Sequence, residues 1–348
     1  MDLKTIQRIK RGIKDPGIGP ETIALMPTRI CSLRCFYCRG GRFVHWQEEN
    51  EDCSKELSTQ ELFNLFLDAK KLGVKEINLG GVVGEPFCRK DILLILAKIK
   101  ELGFMGSMTT NGFALNRDTA DFLTRHKWDI LLLSFDSSDS RIQHTLRSAF
   151  SGESYFEHII EFLQTLNSLR SKLRVLLNVV ITKINYRKFP ELMKFANSYK
   201  NIESVNVLKL LNAGLPNYEL LQLNTGELNE FRKILSELKK DKKIRYLNDW
   251  FEKNDAAACC ADPLEEGVSE CSCFTNYYIL SIDSNGDIIK CPQNWVKVAG
   301  LNVKDTPLSK LWEKEHLSFR RGLVKRAACF DGCCTILKEQ NRMIRGRL

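Results

Sequence analysis

The stretch Cys31-Ser32-Leu33-Arg34-Cys35-Phe36-Tyr37-Cys38 sets three cysteines at the spacing CxxxCxxC, directly after an apolar run over residues 22–30. Three thiolates on one short loop can wrap one face of a four-iron cube and leave the fourth iron without a protein ligand. That iron is then open to the amino and carboxylate groups of a small molecule. Two other readings compete: a zinc site, and cysteines that only fill a core. Structural zinc asks for four protein ligands, often as CxxC pairs, and this loop offers three at a different spacing.

Outward from the triplet, short β-rich apolar runs alternate with longer amphipathic ones. Strands are expected over residues 22–30, 76–81, 104–110, 130–135, 173–181 and 204–211. Helices are expected over 59–72, 90–102, 117–125, 155–169, 186–198 and 225–240. Two of them carry start signals. Ser58-Thr59-Gln60-Glu61 precedes Leu62, Phe63, Leu65 and Phe66, and Asn224-Thr225-Gly226-Glu227 precedes Leu228, Phe231 and Leu235. Repeated βα units predict an α/β fold, a partial (β/α)6 barrel over residues 21–245 behind an N-terminal extension of residues 1–20. In such folds the loops after the strands build the site. Cys31, Glu85, Asn111 and Asp136 follow four successive strands there.

From residue 246 to 348 the pattern changes to a small cysteine-rich α+β region. Strands near 277–282 and 288–290 flank Asp283-Ser284-Asn285-Gly286, where Asn-Gly predicts a tight turn. A helix is expected around 308–315. The chain has 348 residues, 43% hydrophobic and 27% charged, enough for one large core and an appended unit. Thirteen cysteines without a secretion signal, most of them clustered, suit metal coordination better than a disulfide framework. No apolar stretch is long enough to span a bilayer, so no membrane partner is expected and the cytoplasm is the simplest address. The formal net charge is +9, but no nucleic-acid-binding motif accompanies it, and a solvated basic surface is the preferred reading.

The triplet resembles the signature of the radical S-adenosylmethionine (radical SAM) superfamily, CxxxCxΦC, with Tyr37 as the aromatic. Further segments extend the resemblance. Gly80–Pro86 (GGVVGEP) looks like the GGEP element, with the role carried to Gly84 and Glu85 because Val82 and Val83 interrupt it. Thr109–Gly112 (TTNG) and Ser134–Ser137 (SFDS) match the next two strand ends. RIQHTLRS resembles the HxxxR segment, with Arg147 in place but Gln143 where His is expected. NVVITKIN, residues 178–185, resembles the fifth strand. The resemblance implies that Cys31, Cys35 and Cys38 hold a [4Fe–4S] cluster. It implies that Tyr37, Gly84, Glu85, Thr110, Asn111, Ser134, Asp136, Arg147 and Asn178 bind SAM. A flavodoxin- or ferredoxin-type protein would supply the electron.

The C-terminal cysteines resemble the auxiliary-cluster extension called SPASM or twitch. Cys273, Cys291, Cys329 and Cys333 are its expected ligands, with Cys271, Cys334, Cys259 and Cys260 as alternates. One auxiliary Fe–S cluster is expected, with two as the alternative; zinc and core cysteines compete. Cys88, after the GEP element, is a candidate hydrogen-atom donor, and Cys53 a weaker one. The expected function is a SAM-cleaving oxidoreductase or isomerase acting on a small molecule such as a sugar or aminocyclitol. A peptide maturase performing cross-linking, epimerisation or oxidation is the alternative.

Overall fold

A computed structural model describes residues 3–38, 53–80, 84–210, 217–238, 240–245, 273–291 and 294–325. The six expected parallel strands form in order: β1 (Thr22–Leu25), β3 (Glu76–Leu79), β4 (Met105–Thr110), β5 (Ile130–Ser134), β7 (Arg174–Ile181) and β8 (Ile202–Lys209). A short β9 (Ile244–Arg245) adds to β8 in parallel. The strand cores match the expectation, but β1 stops five residues early, because its ladder to β3 ends at Leu25.

Strand β7 shows why these runs fold as they do. Val175, Leu177, Val179 and Ile181 point to one face and are buried, while Leu176, Asn178 and Val180 alternate to the other. The buried face lies under the helices. In the helix Thr59–Lys71 the buried Leu62, Leu65, Phe66 and Ala69 repeat at helical spacing. Its start is closed by the capping box of Ser58 and Glu61. Asn224 and Glu227 exchange the same pair of bonds at 2.8 and 2.9 Å ahead of the helix Thr225–Leu238.

The hairpin expected near residue 285 forms as β10 (Ile279–Ile282) and β11 (Asp287–Cys291), with a third strand, β12 (Asn294–Asn302), that the sequence did not announce. Only Gly286 takes a positive φ in the turn, +91°, and Asp283 O accepts from Gly286 N at 3.1 Å. The turn is therefore a type I turn closed by a left-handed glycine, not the doubly left-handed one expected of Asn-Gly. β10 pairs in parallel with β1, so the hairpin extends the barrel's own sheet into ten strands.

The N-terminal extension is a helix, Leu3–Lys14, whose Ile9 and Ile13 pack on Phe274, Tyr277 and Tyr278. At the far end Leu308–Lys310 runs through a π-helical turn, Leu311–Glu315, into the helix His316–Lys325. No helix among the described residues is long and apolar enough to cross a membrane.

Candidate functional site

The triplet lies where the sequence places it, beyond the C-terminal end of β1, and it is built into a ribbon. Leu33–Cys35 forms a short strand, β2, antiparallel to β6 (Arg147–Ala149) in a separate two-stranded sheet. The register sets Cys35 opposite Arg147 and Leu33 opposite Ala149. Phe36 N donates to Leu146 O at 2.9 Å and Phe150 N to Ser32 O at 3.1 Å, which fastens the loop at both ends.

Cys31, Cys35 and Cys38 are all partly buried thiols. Asn111 Nδ2 approaches Cys31 Sγ at 3.6 Å, and Arg147 Nη1 approaches Cys35 Sγ at 3.9 Å. Burial pushes the Cys31 thiol up to about 12, aided by Cys35, Glu85 and Cys38. Burial pushes Cys35 up to about 12 as well, against the pull of the Arg147 charge. Such thiols hold their protons until a metal takes their place. Among the described residues no three Cys, His, Asp or Glu side chains converge on a single-ion site. The donor set suits a larger group: three thiols from one loop, two of them met by N–H donors, one of those a cation. A negatively charged iron–sulfur cluster needs such partners.

The residues after β3 and β4 support the loop. Glu85 N donates to Ile30 O at 2.8 Å, beside the first cysteine. Gly84 has φ +79°, and a Cβ there would lie 2.0 Å from the Thr28 carbonyl oxygen. Glycine is therefore required by contact as well as by conformation. Gly80 also carries a positive φ, +140°, and packs on Thr109. The Glu85 carboxyl is buried, which raises its pKa to about 7 against hydrogen bonds that favour the charge. Those bonds come from Thr110 Oγ1 at 2.7 Å, Asn111 N at 2.7 Å and Phe87 N at 3.3 Å. Glu85 thus clamps the end of β3 to the end of β4. Asn111 Nδ2 also donates to Ser32 Oγ at 3.2 Å, so this side chain is turned to the cysteine loop.

Asp136 is the hub of the other wall. Its Oδ2 accepts from Arg147 Nε at 2.7 Å and from the Tyr37 hydroxyl, and its Oδ1 accepts from Val180 N at 2.9 Å. Asn185 Nδ2 holds the Asp136 carbonyl at 2.9 Å. Asp136 is 2% exposed and Arg147 7%, so the ion pair is out of water. Burial works against the Arg147 charge, but Asp136, then Tyr37 and Cys35, outweigh it and hold its pKa above the ordinary value. Burial raises Tyr37 well above the usual phenol range. Arg147 was expected to meet SAM; here its guanidinium lies between Asp136, Cys35 and the Tyr37 ring, 5.3 Å from the ring centroid.

Gln143, where the resembling motif has His, accepts from Asp136 N at 2.9 Å and Ser137 N at 3.2 Å. It caps the loose amides at the end of β5, and Tyr155 OH anchors the segment by donating to Arg147 O at 2.9 Å. Sequence reasoning met Gln143 only as a departure from the expected His, and gave no role to Tyr155 or Asn185.

Ser134, Asn178 and Asn206 stand side by side in register on β5, β7 and β8, on the face away from the helices. Asn206 Nδ2 donates to Asn178 Oδ1 at 2.8 Å, and Asn206 Oδ1 is buried without a hydrogen-bond partner. On β3 and β4, Asn78 Nδ2 donates to Ser107 Oγ at 2.6 Å, and Ser107 Oγ to Glu76.

Cys88 is partly buried. Its N–H donates to Glu85 O at 2.9 Å, and its thiol pKa is raised by burial and then by Glu85, while hydrogen bonds with Ser32 lower it. Among the expected auxiliary ligands, Cys273 is a partly buried thiol, and Cys291 ends β11. Asn276 Nδ2 donates to Lys290 O at 2.7 Å and so ties the segment after Cys273 to the residue before Cys291. Gly81, Cys259, Cys260, Cys271, Cys329, Cys333 and Cys334 lie outside the described residues, and the side chains of Cys53 and Cys291 do too.

The chain is similar to several known proteins. A protein named "Probable GTP 3',8-cyclase" from Sulfolobus acidocaldarius is 29% identical over 233 residues, 65% of this chain and 69% of that protein. A namesake from Saccharolobus islandicus is 27% identical over 231 residues, 65% of this chain and 68% of that protein. Among solved structures, Streptococcus suis SuiB bound to S-adenosylmethionine superimposes with a TM-score of 0.63 at 19% identity, covering 95% of this chain and 73% of SuiB. Native anSMEcpe with bound AdoMet gives 0.62 at 18%, covering 88% of this chain and 84% of that one. Residues 25–196 match the family described as the Radical SAM superfamily, and this part of the chain is thus a radical SAM domain, for which the family implies a [4Fe–4S] cluster and SAM.

Proposed function

We propose that Cys31, Cys35 and Cys38 hold the SAM-cleaving [4Fe–4S] cluster and that the enzyme oxidises or isomerises a small polar molecule. The observation that carries the first half is the convergence of Asn111 and Arg147 on two of the three thiols, from the ends of β4 and β6. Bound there, such a cluster with SAM supplies a 5′-deoxyadenosyl radical that takes a hydrogen atom from a substrate C–H bond, with methionine released. The protein's own residues hold that chemistry in place. Gly84 and Glu85 lock the strand ends against the cysteine loop, and Thr110 and Asn111 complete the lock. Asp136 fixes Arg147 and Tyr37 beside Cys35. Ser134 at the end of β5 and Asn178 within β7, both half-buried, offer polar groups to SAM.

The polar lane on the inner face supports a substrate rich in hydroxyl or amine groups, of the sugar or aminocyclitol kind. An unpartnered buried acceptor at Asn206 favours a hydrogen-bonding ligand over an apolar one. The relatives bear a name with a small molecule, GTP, as substrate, which fits the same class. Deuterium carried from a labelled sugar or nucleotide into 5′-deoxyadenosine supports this reading. Uptake from a labelled peptide alone replaces it with the peptide maturase.

An auxiliary iron–sulfur cluster at Cys273, Cys291, Cys329 and Cys333 completes the proposal, supported by the Asn276 bridge between the first two segments. Cys88 is proposed as a hydrogen-atom donor: Cys88→Ala should keep SAM cleavage and lose product.

A further inference from the structure

The helix His316–Lys325 carries a buried cation that pairs with no carboxylate among the described residues. Arg320 is 0% exposed, and its guanidinium carbon sits 3.7 Å from the Trp312 ring centroid and 5.5 Å from that of Tyr277. Nη2 donates to Trp312 O at 3.0 Å, while Nε and Nη1 are buried without a hydrogen-bond partner. Burial lowers its pKa to about 10, so the charge remains at neutral pH. His316, one turn earlier on the same helix face, is wholly buried with both ring nitrogens unpartnered, and burial keeps it neutral. Tyr277 is no counter-ion either, because burial holds its phenol above the ordinary range. Arg321, which also acts on Arg320, has the same sign. Aromatic faces and one carbonyl attract a cation but carry no net charge, and a buried charge left uncompensated is costly.

The cation stands where segments bearing the expected auxiliary ligands meet. Tyr277 closes the short 3-10 turn that follows Cys273, and its N–H donates to Phe274 O at 2.9 Å. Asn276, in the same turn, holds the carbonyl of Lys290, the residue before Cys291. Cys329 follows the helix of Arg320 in sequence. An iron–sulfur cluster on four thiolates is an anion, and reduction adds one more negative charge. It would supply the charge that Arg320 lacks. It needs no cavity at the guanidinium, since unit charges in a buried medium act on one another over several ångström.

We propose that Arg320 is the counter-charge of the auxiliary cluster and raises its reduction potential. The proposal rests on the auxiliary-cluster reading given above. The cation favours the more negative, reduced form, so removing it makes the cluster harder to reduce. Arg320 touches neither substrate nor SAM in this role. It acts only through the charge that it holds out of water, and Trp312 and Tyr277 keep that charge in place.

Arg320→Met and Arg320→Gln test it in the reconstituted full chain, with Trp312→Phe as a packing control and the exposed Arg321→Met as a charge control. Dithionite titration against potential, followed by electron paramagnetic resonance, reads each cluster; the auxiliary one gives the signal that SAM leaves unchanged. In both neutral Arg320 variants the reduced-to-oxidised ratio of that signal at a fixed potential should fall roughly tenfold, which is about 59 mV for one electron. Both controls should hold the wild-type value, and the SAM-responsive cluster should not move in any variant. Neutral variants that lose the auxiliary iron while Trp312→Phe keeps it support the same conclusion. An unmoved auxiliary signal in the neutral variants, or an equal shift in Trp312→Phe, overturns the counter-charge. So does inorganic phosphate that raises the melting temperature of the iron-free chain only when Arg320 is present, because the missing anion is then a free oxyanion. Wild type that takes up only about four irons per chain, with a single SAM-responsive signal, overturns the auxiliary cluster itself, and the role of Arg320 with it.

Discussion

Replacement of Asp136 tests the wall of the site most sharply, because one carboxylate satisfies so many partners. Asp136→Ala removes acceptors from Arg147 Nε at 2.7 Å, Val180 N at 2.9 Å and the Tyr37 hydroxyl. It leaves Arg147, 7% exposed, as a buried charge without its counter-ion. Breaking a buried pair by deleting one partner costs about 3–5 kcal/mol, and an orphaned buried amide adds about 1–3 kcal/mol. A loss of about 4–6 kcal/mol is expected, a large part of the stability of an ordinary domain. Asp136→Asn keeps an acceptor for Val180 and should lose about 3 kcal/mol. Urea unfolding of the iron-free chain reads both. In the Asp136→Leu background, Arg147→Met should recover stability, since it removes the stranded charge. A loss below about 1 kcal/mol in Asp136→Ala, or a second full loss from Arg147→Met, would refute the buried-pair reasoning.

Three further outcomes follow from single sites. Gly84→Ala must push the Thr28 carbonyl aside while holding a positive φ, so about 2–4 kcal/mol is lost and iron loading falls; thermal melting and an iron assay check it. His316 is wholly buried against Trp312 and Phe319, and burial, then Arg320, depresses its pKa from 6.5 to about 3. The folded chain then binds fewer protons at this site than the unfolded one below pH 6.5. Its contribution is complete above that pH and is lost as pH falls toward 3, by about 1.4 kcal/mol per unit. His316→Phe should remove that slope, and the difference between the two urea–pH curves isolates it. Cys273→Ala should lower the iron content of reconstituted protein by about four per chain if the auxiliary cluster is of the four-iron kind; unchanged iron excludes Cys273 as a ligand.

Much of the scaffold was legible because periodicity is a local property. The alternation in β7 and the helical spacing of Leu62, Leu65, Phe66 and Ala69 reflect burial that each segment carries in its own sequence. The ribbon was not legible. Strands of three residues are too short to alternate visibly, and their pairing joins Cys35 to Arg147 across the barrel. The junction of β10 with β1 was hidden for the same reason: it links Thr22 to Ile279. Within the site, the sequence pointed to residues but not to the partners they hold. Arg147 and Asp136 are both expected to serve SAM, and the structure pairs them with each other and sets the Tyr37 hydroxyl on the same carboxylate. Gln143 looked like a broken motif and is in fact the cap of β5. A side chain that satisfies backbone amides leaves no pattern in sequence, since several polar residues can do it.

The central claim is that this triplet cleaves SAM, and 5′-deoxyadenosine measures it directly. Anaerobically reconstituted wild type with dithionite and SAM should release it, and Cys31→Ala, Cys35→Ala and Cys38→Ala should each release none. Wild type that yields no 5′-deoxyadenosine, or a Cys31→Ala protein that yields as much, would contradict the account.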